Sequence, residues 1–198
     1  MTQLKDAYIV AATRTPIGKS GRGVFKNTRP DDLLVAVIQS ALKQVPSLDP
    51  AAIEDAIIGC AMPEGEQGMN VAKVAALLSG LPKTVAGATV NRFCAAGITA
   101  VSMAADRIRV GEADVMIAGG VESMSMVPMG GSKPSFNPKV VDLDENVGIA
   151  YGMGMTAEKV AEQWQVTREE QDAFAVESHR RAIAAQQAGW FDAETTPI

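Results

Sequence analysis

ATVNRFCAAGITAVSMAADRIRVGEADVMIAGG, residues 88–120, contains the pattern that decides the fold. A short apolar run, Ala88–Val90, is interrupted by Asn91–Phe93. Apolar side chains then recur at helical spacing, and a second apolar run, Asp114–Ala118, stops at Gly119–Gly120. This order predicts a strand, a helix and another strand, which is the repeating unit of a parallel sheet.

The preceding residues repeat this alternation. Apolar runs at Tyr8–Ala12 and Ala56–Cys60 predict two more strands. Helical patterns predict one helix from Asp31 to about Pro46 and another over Gly68–Gly80. The apolar runs are continuous, which is typical of strands covered on both faces. We therefore predict an α/β domain of order βαβαβαβ, with a mixed, mostly parallel sheet and helices on both faces.

Residues 122–198 differ in character from residues 1–121. Glu122–Gly154 is rich in Met, Pro, Gly and Ser and has little periodicity, which favours a functional or lid segment. Two helices are predicted after it, over Thr156–Gln165 and Thr167–Gln187, with the two threonines as N-caps and Glu170 completing a capping box with Thr167. We accordingly divide the chain after Val121.

Composition argues against several classes of function. The chain has 198 residues, 47% hydrophobic and 21% charged, which is typical of a globular α/β protein. A net charge of -5 without a Lys/Arg cluster argues against a nucleic-acid surface. The two cysteines, Cys60 and Cys94, and the single His179 form neither a disulfide framework nor a metal-ligand set. No signal peptide or membrane-spanning run is visible, so we expect a cytoplasmic protein that binds no metal.

Cys94 is the candidate nucleophile. The pattern places it on the first residues of the predicted helix, where unpaired backbone N–H groups and the helix dipole favour a thiolate. Ala95, Ala96 and Gly97 are small, so a substrate carbonyl can approach backbone N–H groups that would form an oxyanion hole. A buried structural cysteine is the alternative interpretation. Cys60, which ends an apolar run, is interpreted in that second way.

Motifs along the chain resemble those of the thiolase family. Asn91–Gly97 followed by Ala118–Ser125 resembles the active-site signature of the family, and Ile9–Gly18 resembles its opening strand and loop. Gly152–Glu158 is similar to the loop-domain motif near the pantetheine of coenzyme A. Further similar stretches are Glu64–Asn70, Ser178–Ala182 and Gly189–Phe191. The similarity is collinear from Ile9 to the end of the chain.

The resemblance implies two similar α/β domains with a loop domain inserted into the first. Residues 1–121 would be the incomplete N-terminal domain and residues 122–198 part of the loop domain, with the C-terminal domain absent from this chain. The implied activity is acyl transfer in fatty acid metabolism: 3-ketoacyl-CoA is formed or thiolytically cleaved through an acyl-thioester on Cys94. Acyl-CoA and coenzyme A are substrates, and no cofactor is permanently bound. A second Cys and a His from the C-terminal half would activate the nucleophile, whereas His179 is interpreted as a surface residue.

Four methionines are candidate substrate contacts. The loop-domain motif places Met153 near the thiol end of coenzyme A. Met124, Met126 and Met129 line an acyl-binding groove in one interpretation and fill gaps at a domain contact in the other. Asn91 is interpreted as holding the nucleophile loop through side-chain hydrogen bonds.

Departures from the family pattern bear on subclass and assembly. Gly152 stands where biosynthetic acetoacetyl-CoA members tend to carry His, and the segment from Ser125 to Tyr151 is shorter than in tetrameric members. Both features favour the degradative 3-ketoacyl-CoA class. We expect a homodimer with the Ala88–Asn91 strand near its dyad, a tetramer being the alternative, and a complementary C-terminal half as partner. Two other hypotheses stay open: a half-thiolase that only folds and assembles, and another condensing enzyme, such as a ketosynthase.

Overall fold

The computed structural model describes residues 4–142 and 148–198. Its helices within these ranges are α1 (Pro30–Gln44), α2 (Val71–Leu78), α3 (Ala96–Arg109), α4 (Met153–Trp164) and α5 (Arg168–Gln187). Its strands are β1 (Asp55–Gly59), β2 (Ala86–Val90) and β3 (Met116–Gly120). Short 3-10 helices occupy Pro50–Ala52, Gly65–Gln67 and Pro138–Val140.

The sheet is parallel, with β1 at its centre. The strand order is β2-β1-β3, and β1 pairs in parallel with both neighbours. In the register, Ile57 lies opposite Ala88 on one side and Ala118 on the other. Because all strands run the same way, their carboxyl ends meet at one edge of the sheet.

Successive residues of β1 face two different layers of helices. Ala56 and Ile58 belong to a buried cluster that includes residues of α1 and α2. Ile57 lies in a second cluster with Ala100 and Ala104 of α3. The helices therefore cover both faces of the sheet, and the predicted α/β class is confirmed.

The predicted first strand, Tyr8–Ala12, is wrong. Tyr8, Ile9 and Val10 are exposed and form no ladder. The Ala12 backbone is held instead by the side chain of Gln44 at the end of α1. Ala12 N–H donates to Gln44 Oε1 at 3.1 Å, and Gln44 Nε2 donates to the Ala12 carbonyl at 3.2 Å. An apolar cleft of about 650 Å³ is lined by this segment, β3, α1 and α3. An apolar run becomes a strand only when a sheet edge pairs with it, and here it does not pair.

The last strand of the sheet is shifted relative to its prediction. Glycines were expected to stop it, but Gly119 and Gly120 are its final residues and lie opposite Ile58 and Gly59. A Cβ on Gly120 would lie 3.4 Å from the Cα of Gly97 in α3. The two glycines are thus the last paired residues of the strand and not a signal that precedes its end.

The chain divides into two compact units, one of Met1–Lys133 with Glu194–Ile198 and one of Pro134–Ala193. The first unit contains the sheet and α1 to α3, and the second contains α4 and α5. Residues 143–147 of the predicted irregular segment lie outside the described residues. No helix in the described part of the chain is long and apolar enough to cross a membrane.

The predicted starts of the last two helices have different outcomes. Thr167 caps α5, and its capping box with Glu170 is complete. Thr156 was predicted to be an N-cap, which is wrong because α4 begins earlier, after Gly152. The Thr156 hydroxyl instead donates to the Gly152 carbonyl within the first turn, at 3.3 Å.

Candidate active site

Cys94 lies in the turn between β2 and α3, where the carboxyl ends of the strands meet. It is exposed. It lies two residues before Ala96, the first residue of α3, so the prediction that it is among the first residues of the helix is wrong by two residues. The turn is closed by Ala95 N–H donating to the Arg92 carbonyl at 3.1 Å and Ala96 N–H donating to the Phe93 carbonyl at 2.9 Å. The candidate nucleophile is thus held on a short, hydrogen-bonded turn that leads directly into a helix.

The turn has an unusual backbone at Phe93, which is left-handed with a φ of 47°. Such a conformation is unfavourable for an aromatic residue. The Asn91 Oδ1 accepts from Phe93 N–H at 2.8 Å, and the Asn91 Nδ2 donates to the Ala61 carbonyl at 3.0 Å. The interpretation that Asn91 holds the nucleophile loop is confirmed.

Gly59, the last residue of β1, lets the start of α3 lie directly on the sheet. A Cβ at this position would stand 2.3 Å from the carbonyl carbon of Ala96 and 2.5 Å from the nitrogen of Gly97. Ala96 itself is buried. The absence of a side chain at Gly59 therefore fixes where the helix begins, and with it the position of Cys94.

The start of α3 is suited to stabilising negative charge. The first N–H groups of a helix have no partner within the helix, and its dipole favours an anion at that end. The side of Gly97 that a Cβ would occupy is open, since nothing lies within 4 Å of that position, whereas its nitrogen packs closely against Gly59 of β1. On the open side, a carbonyl oxygen can approach the start of α3 without meeting a side chain.

Cys60, unlike Cys94, is buried. It follows β1, is 1% exposed and belongs to the core cluster of α1 and α2. Burial, and after it the negative charge of Glu122, raises the pKa of the Cys60 thiol to about 11. The interpretation of Cys60 as a structural cysteine is confirmed.

A polar cluster next to this site was missed by the sequence analysis. Glu122 accepts hydrogen bonds from Ala61 N–H and from the Gln67 side-chain amide, both at 2.7 Å. Gln67 is fully buried, donates to the Met62 carbonyl at 2.9 Å and accepts from Ser123 N–H. Both residues lie in stretches that resemble the thiolase family, Ala118–Ser125 and Glu64–Asn70, but the sequence does not identify their hydrogen-bond partners.

The remaining predicted site residues are placed as follows. Met124 and Met129 are exposed and Met126 is half-buried, all in the loop after β3 and in the same unit as Cys94. Met153, the first residue of α4, is 61% exposed in the other unit. Contact of these methionines with substrate stays a prediction.

His179 lies on the exposed surface of α5, as the sequence predicted. Hydrogen bonds from Arg180 and Arg181 lower the pKa of the neighbouring Glu177 to about 2. His179 therefore lies beside ion pairs on a solvated helix. Within residues 4–142 and 148–198, no group of three or more His, Cys, Asp or Glu side chains is arranged to hold a metal ion.

The family model for the N-terminal domain of thiolase matches residues 7–198. A 3-ketoacyl-CoA thiolase of Bacillus subtilis (strain 168) is 44% identical over 195 residues, which cover 98% of this chain and 49% of that protein. A 3-ketoacyl-CoA thiolase of Shewanella putrefaciens is 46% identical over 192 residues, covering 96% of this chain and 49% of that protein. The crystal structure of the Bacillus anthracis acetyl-CoA acetyltransferase has a TM-score of 0.84 and 35% identity, covering 100% of this chain and 52% of that one. The chain thus spans about half the length of these relatives.

We predict that Gly59→Ala displaces the start of α3. The methyl group would overlap backbone atoms, which cannot move aside as a flexible side chain can, so we expect the free energy of unfolding to fall by about 1–3 kcal/mol. The alkylation rate of Cys94 in the folded protein should change as well. Urea unfolding and timed iodoacetamide labelling measure the two effects.

The matched control for this substitution is Gly154→Ala in α4, where nothing lies within 4 Å of an added Cβ. Alanine is favoured over glycine within a helix, so this variant should lose no stability. If Gly59→Ala were as stable and as reactive as the control, the close packing of α3 on β1 would not determine the position of Cys94.

Proposed function

The chain belongs to the thiolase family, and from that premise we propose that it carries the nucleophile of an enzyme that forms or thiolytically cleaves 3-ketoacyl-CoA. The observation that carries the proposal is the placement of Cys94. It is exposed, lies on a braced turn and directly precedes the N-terminus of a helix. These are the conditions under which a cysteine acts as a nucleophile.

In the cleavage direction, the Cys94 sulfur attacks the 3-keto carbon of the substrate, and the negative charge develops on the keto oxygen. Backbone N–H groups at the start of α3 stabilise this oxyanion. The carbon–carbon bond then breaks, acetyl-CoA leaves after its carbanion receives a proton, and the shortened acyl group stays on sulfur as a thioester. The thiol of coenzyme A attacks this thioester, releases the new acyl-CoA and returns the proton to Cys94. Synthesis is the reverse sequence.

The substrate class is that of 3-ketoacyl-CoA of the degradative type. The two relatives from Bacillus subtilis and Shewanella putrefaciens are named 3-ketoacyl-CoA thiolase, and Gly152 departs from the biosynthetic pattern in the same direction. Met124, Met126 and Met129 would adapt to acyl chains of different shape, since methionine is flexible and polarisable. Met153 would contact the thiol end of coenzyme A, which enters as a substrate and not as a bound cofactor.

A complementary C-terminal half is the proposed partner of this chain. Residues 1–121 would form the incomplete N-terminal domain and residues 122–198 part of the inserted loop domain. Supporting this, one face of α3 carries large apolar side chains that are exposed here, Ile98 at 67% and Val101 three residues later. Apolar surface of this kind is rare on a finished monomer and marks a face that another segment covers.

We further propose that the complete enzyme is a homodimer paired near β2. β2 lies at an edge of the sheet, where a strand can accept another. Two copies of one strand that pair across a two-fold axis must run antiparallel to each other. The pair would join two parallel sheets into one larger sheet.

We predict that Cys94 is the fast-reacting thiol of the complete protein. Brief iodoacetamide treatment at pH 8 should label Cys94, because a thiol with a pKa of about 11 is ionised in only about one molecule in a thousand at that pH. Cys60 should therefore label slowly, and faster as the pH rises. Mass spectrometry of the peptides locates the label.

Substitution provides the matched comparison. Cys94→Ser should leave the fold intact and remove acyl transfer, whereas Cys60→Ser should cost stability and retain acyl transfer per folded molecule. Circular dichroism and turnover are measured for both. Preferential labelling of Cys60, or undiminished turnover of Cys94→Ser, contradicts the assignment.

We predict that the 198 residues alone show no thiolase turnover and that activity returns when the C-terminal half is supplied. Claisen chemistry needs a group that moves a proton at the α-carbon, and neither the buried Cys60 nor the surface His179 fits that role. Thiolytic loss of the acetoacetyl-CoA enolate absorbance is measured for the chain alone and with its complement. Turnover by the chain alone would show that other residues carry the chemistry, and folding with the complement but no turnover would favour an assembly module.

We predict that the complete protein is a dimer in solution. Light scattering should give twice the mass of one complete polypeptide. A stable tetramer would contradict the inference from the short segment after Ser125, and a monomer would contradict the proposed pairing at β2 as well.

A further inference from the structure

The carboxyl ends of the three strands are connected through side chains next to Cys94. Glu122, after β3, accepts from the backbone N–H of Ala61, after β1, at 2.7 Å. The carbonyl of the same Ala61 accepts from Asn91, after β2, at 3.0 Å. Asn91 in turn accepts from Phe93 N–H at 2.8 Å, one residue before the nucleophile. The path Glu122–Ala61–Asn91–Phe93 thus runs across the whole edge of the sheet and ends at Cys94.

Position 91 requires a side-chain amide, which Asn91 provides. Its oxygen must accept from Phe93 N–H, and its nitrogen must donate to the Ala61 carbonyl. Aspartate would supply the first contact and place an oxygen against the Ala61 carbonyl, because an ionised carboxylate has no donor. Alanine would supply neither.

Glu122 has the complementary requirement. Ala61 N–H donates to one carboxylate oxygen and the Gln67 amide to the other, and the Cys60 thiol lies 4.0 Å from the oxygen that Ala61 contacts. A carboxylate accepts on both oxygens, and hydrogen bonds to a charged acceptor are stronger than neutral ones. The charge of Glu122 therefore holds Ala61 in place for Asn91.

We propose that Asn91 is a positioning residue for Cys94, and that Glu122 acts on Cys94 through Ala61 and Asn91. The two hydrogen bonds of Asn91 hold the left-handed backbone of Phe93. That backbone sets the direction in which the Cys94 side chain leaves the turn, relative to the N–H groups at the start of α3. The inference rests on the proposed function, in which Cys94 is the nucleophile.

The effect should appear in the chemical step. A nucleophile displaced by a fraction of a bond length loses rate steeply, because attack requires a near-attack geometry. Both ends of the Asn91 amide are used by the backbone of Phe93 and Ala61, so binding of coenzyme A should change little. We therefore expect Asn91→Ala in the complete protein to lower kcat by about tenfold to a hundredfold and to leave KM within about threefold.

Asn137→Ala is the matched control. Asn137 makes the same local contact as Asn91, with its Oδ1 accepting from the N–H two residues later, in Lys139, at 3.0 Å. It belongs to the other compact unit, which does not contain the strands of the sheet. Its kcat should equal that of the wild type. Asn91→Asp keeps one of the two contacts and should have an intermediate kcat; it is also the variant to measure if Asn91→Ala does not fold.

The relay from Glu122 is tested by combining substitutions. If Glu122 acts through Asn91, the kcat of Glu122→Ala/Asn91→Ala should be no lower than that of Asn91→Ala alone. Losses that multiply would show that Glu122 acts independently and would overturn the relay. An unchanged kcat per folded molecule in both Asn91 variants would overturn the role of Asn91.

The same variants separate this inference from the proposed function. If wild-type Cys94 forms no acyl-thioester with acyl-CoA, the proposed function fails. If the wild type is acylated and Asn91→Ala is acylated equally fast, only the positioning role fails. Stopped mixing with acyl-CoA followed by intact mass measures the acylation rate directly.

Discussion

The start of α3 resting on the end of β1 is the contact on which the rest of the site depends. At Gly59 the helix backbone comes so close that no side chain fits between the two elements. β1 is the central strand, so the start of α3 lies over the middle of the sheet. The close contact at Gly59 also keeps the turn before the helix outside the core. Cys94 is therefore exposed to solvent although Ala96, two residues later, is buried.

The thiols of the two cysteines lie in very different surroundings, one buried and one exposed. Cys60 continues a central strand into the core, where burial and the nearby charge of Glu122 disfavour its thiolate. Cys94 follows an edge strand and faces the positive end of a helix dipole. Glu122 contributes to both outcomes, because its charge opposes ionisation of Cys60 while its hydrogen bond to Ala61 braces the turn of Cys94. In the proposed relay, one carboxylate thus adds to the effect of burial on the Cys60 thiol and also holds the turn of Cys94 in position.

The sequence predicted those features that depend on local pattern. Continuous apolar runs predicted parallel strands covered on both faces, and the Thr167 capping box was visible from the spacing of two residues. The Tyr8–Ala12 strand failed because pairing depends on a distant edge of the sheet, which periodicity does not contain. The sequence placed Cys94 among the first residues of the helix. The helix begins later because the turn at Phe93 comes first, and the apolar pattern does not contain that turn geometry. Glu122 and Gln67 were missed since their partners are remote in sequence.

The division of chemistry proposed for this chain follows from what its described residues offer. The strand ends and α3 provide a nucleophile and donors for an oxyanion, which together suffice to form and hold an acyl-thioester. Breaking or making a carbon–carbon bond requires in addition a group that exchanges a proton with carbon near neutral pH. His179, the single histidine of the sequence, lies on a solvated helix beside ion pairs, and the thiol of Cys60 has a pKa of about 11. In the proposed function such a group would come from a different segment, and the exposed apolar face of α3 near Cys94 is where that segment would pack.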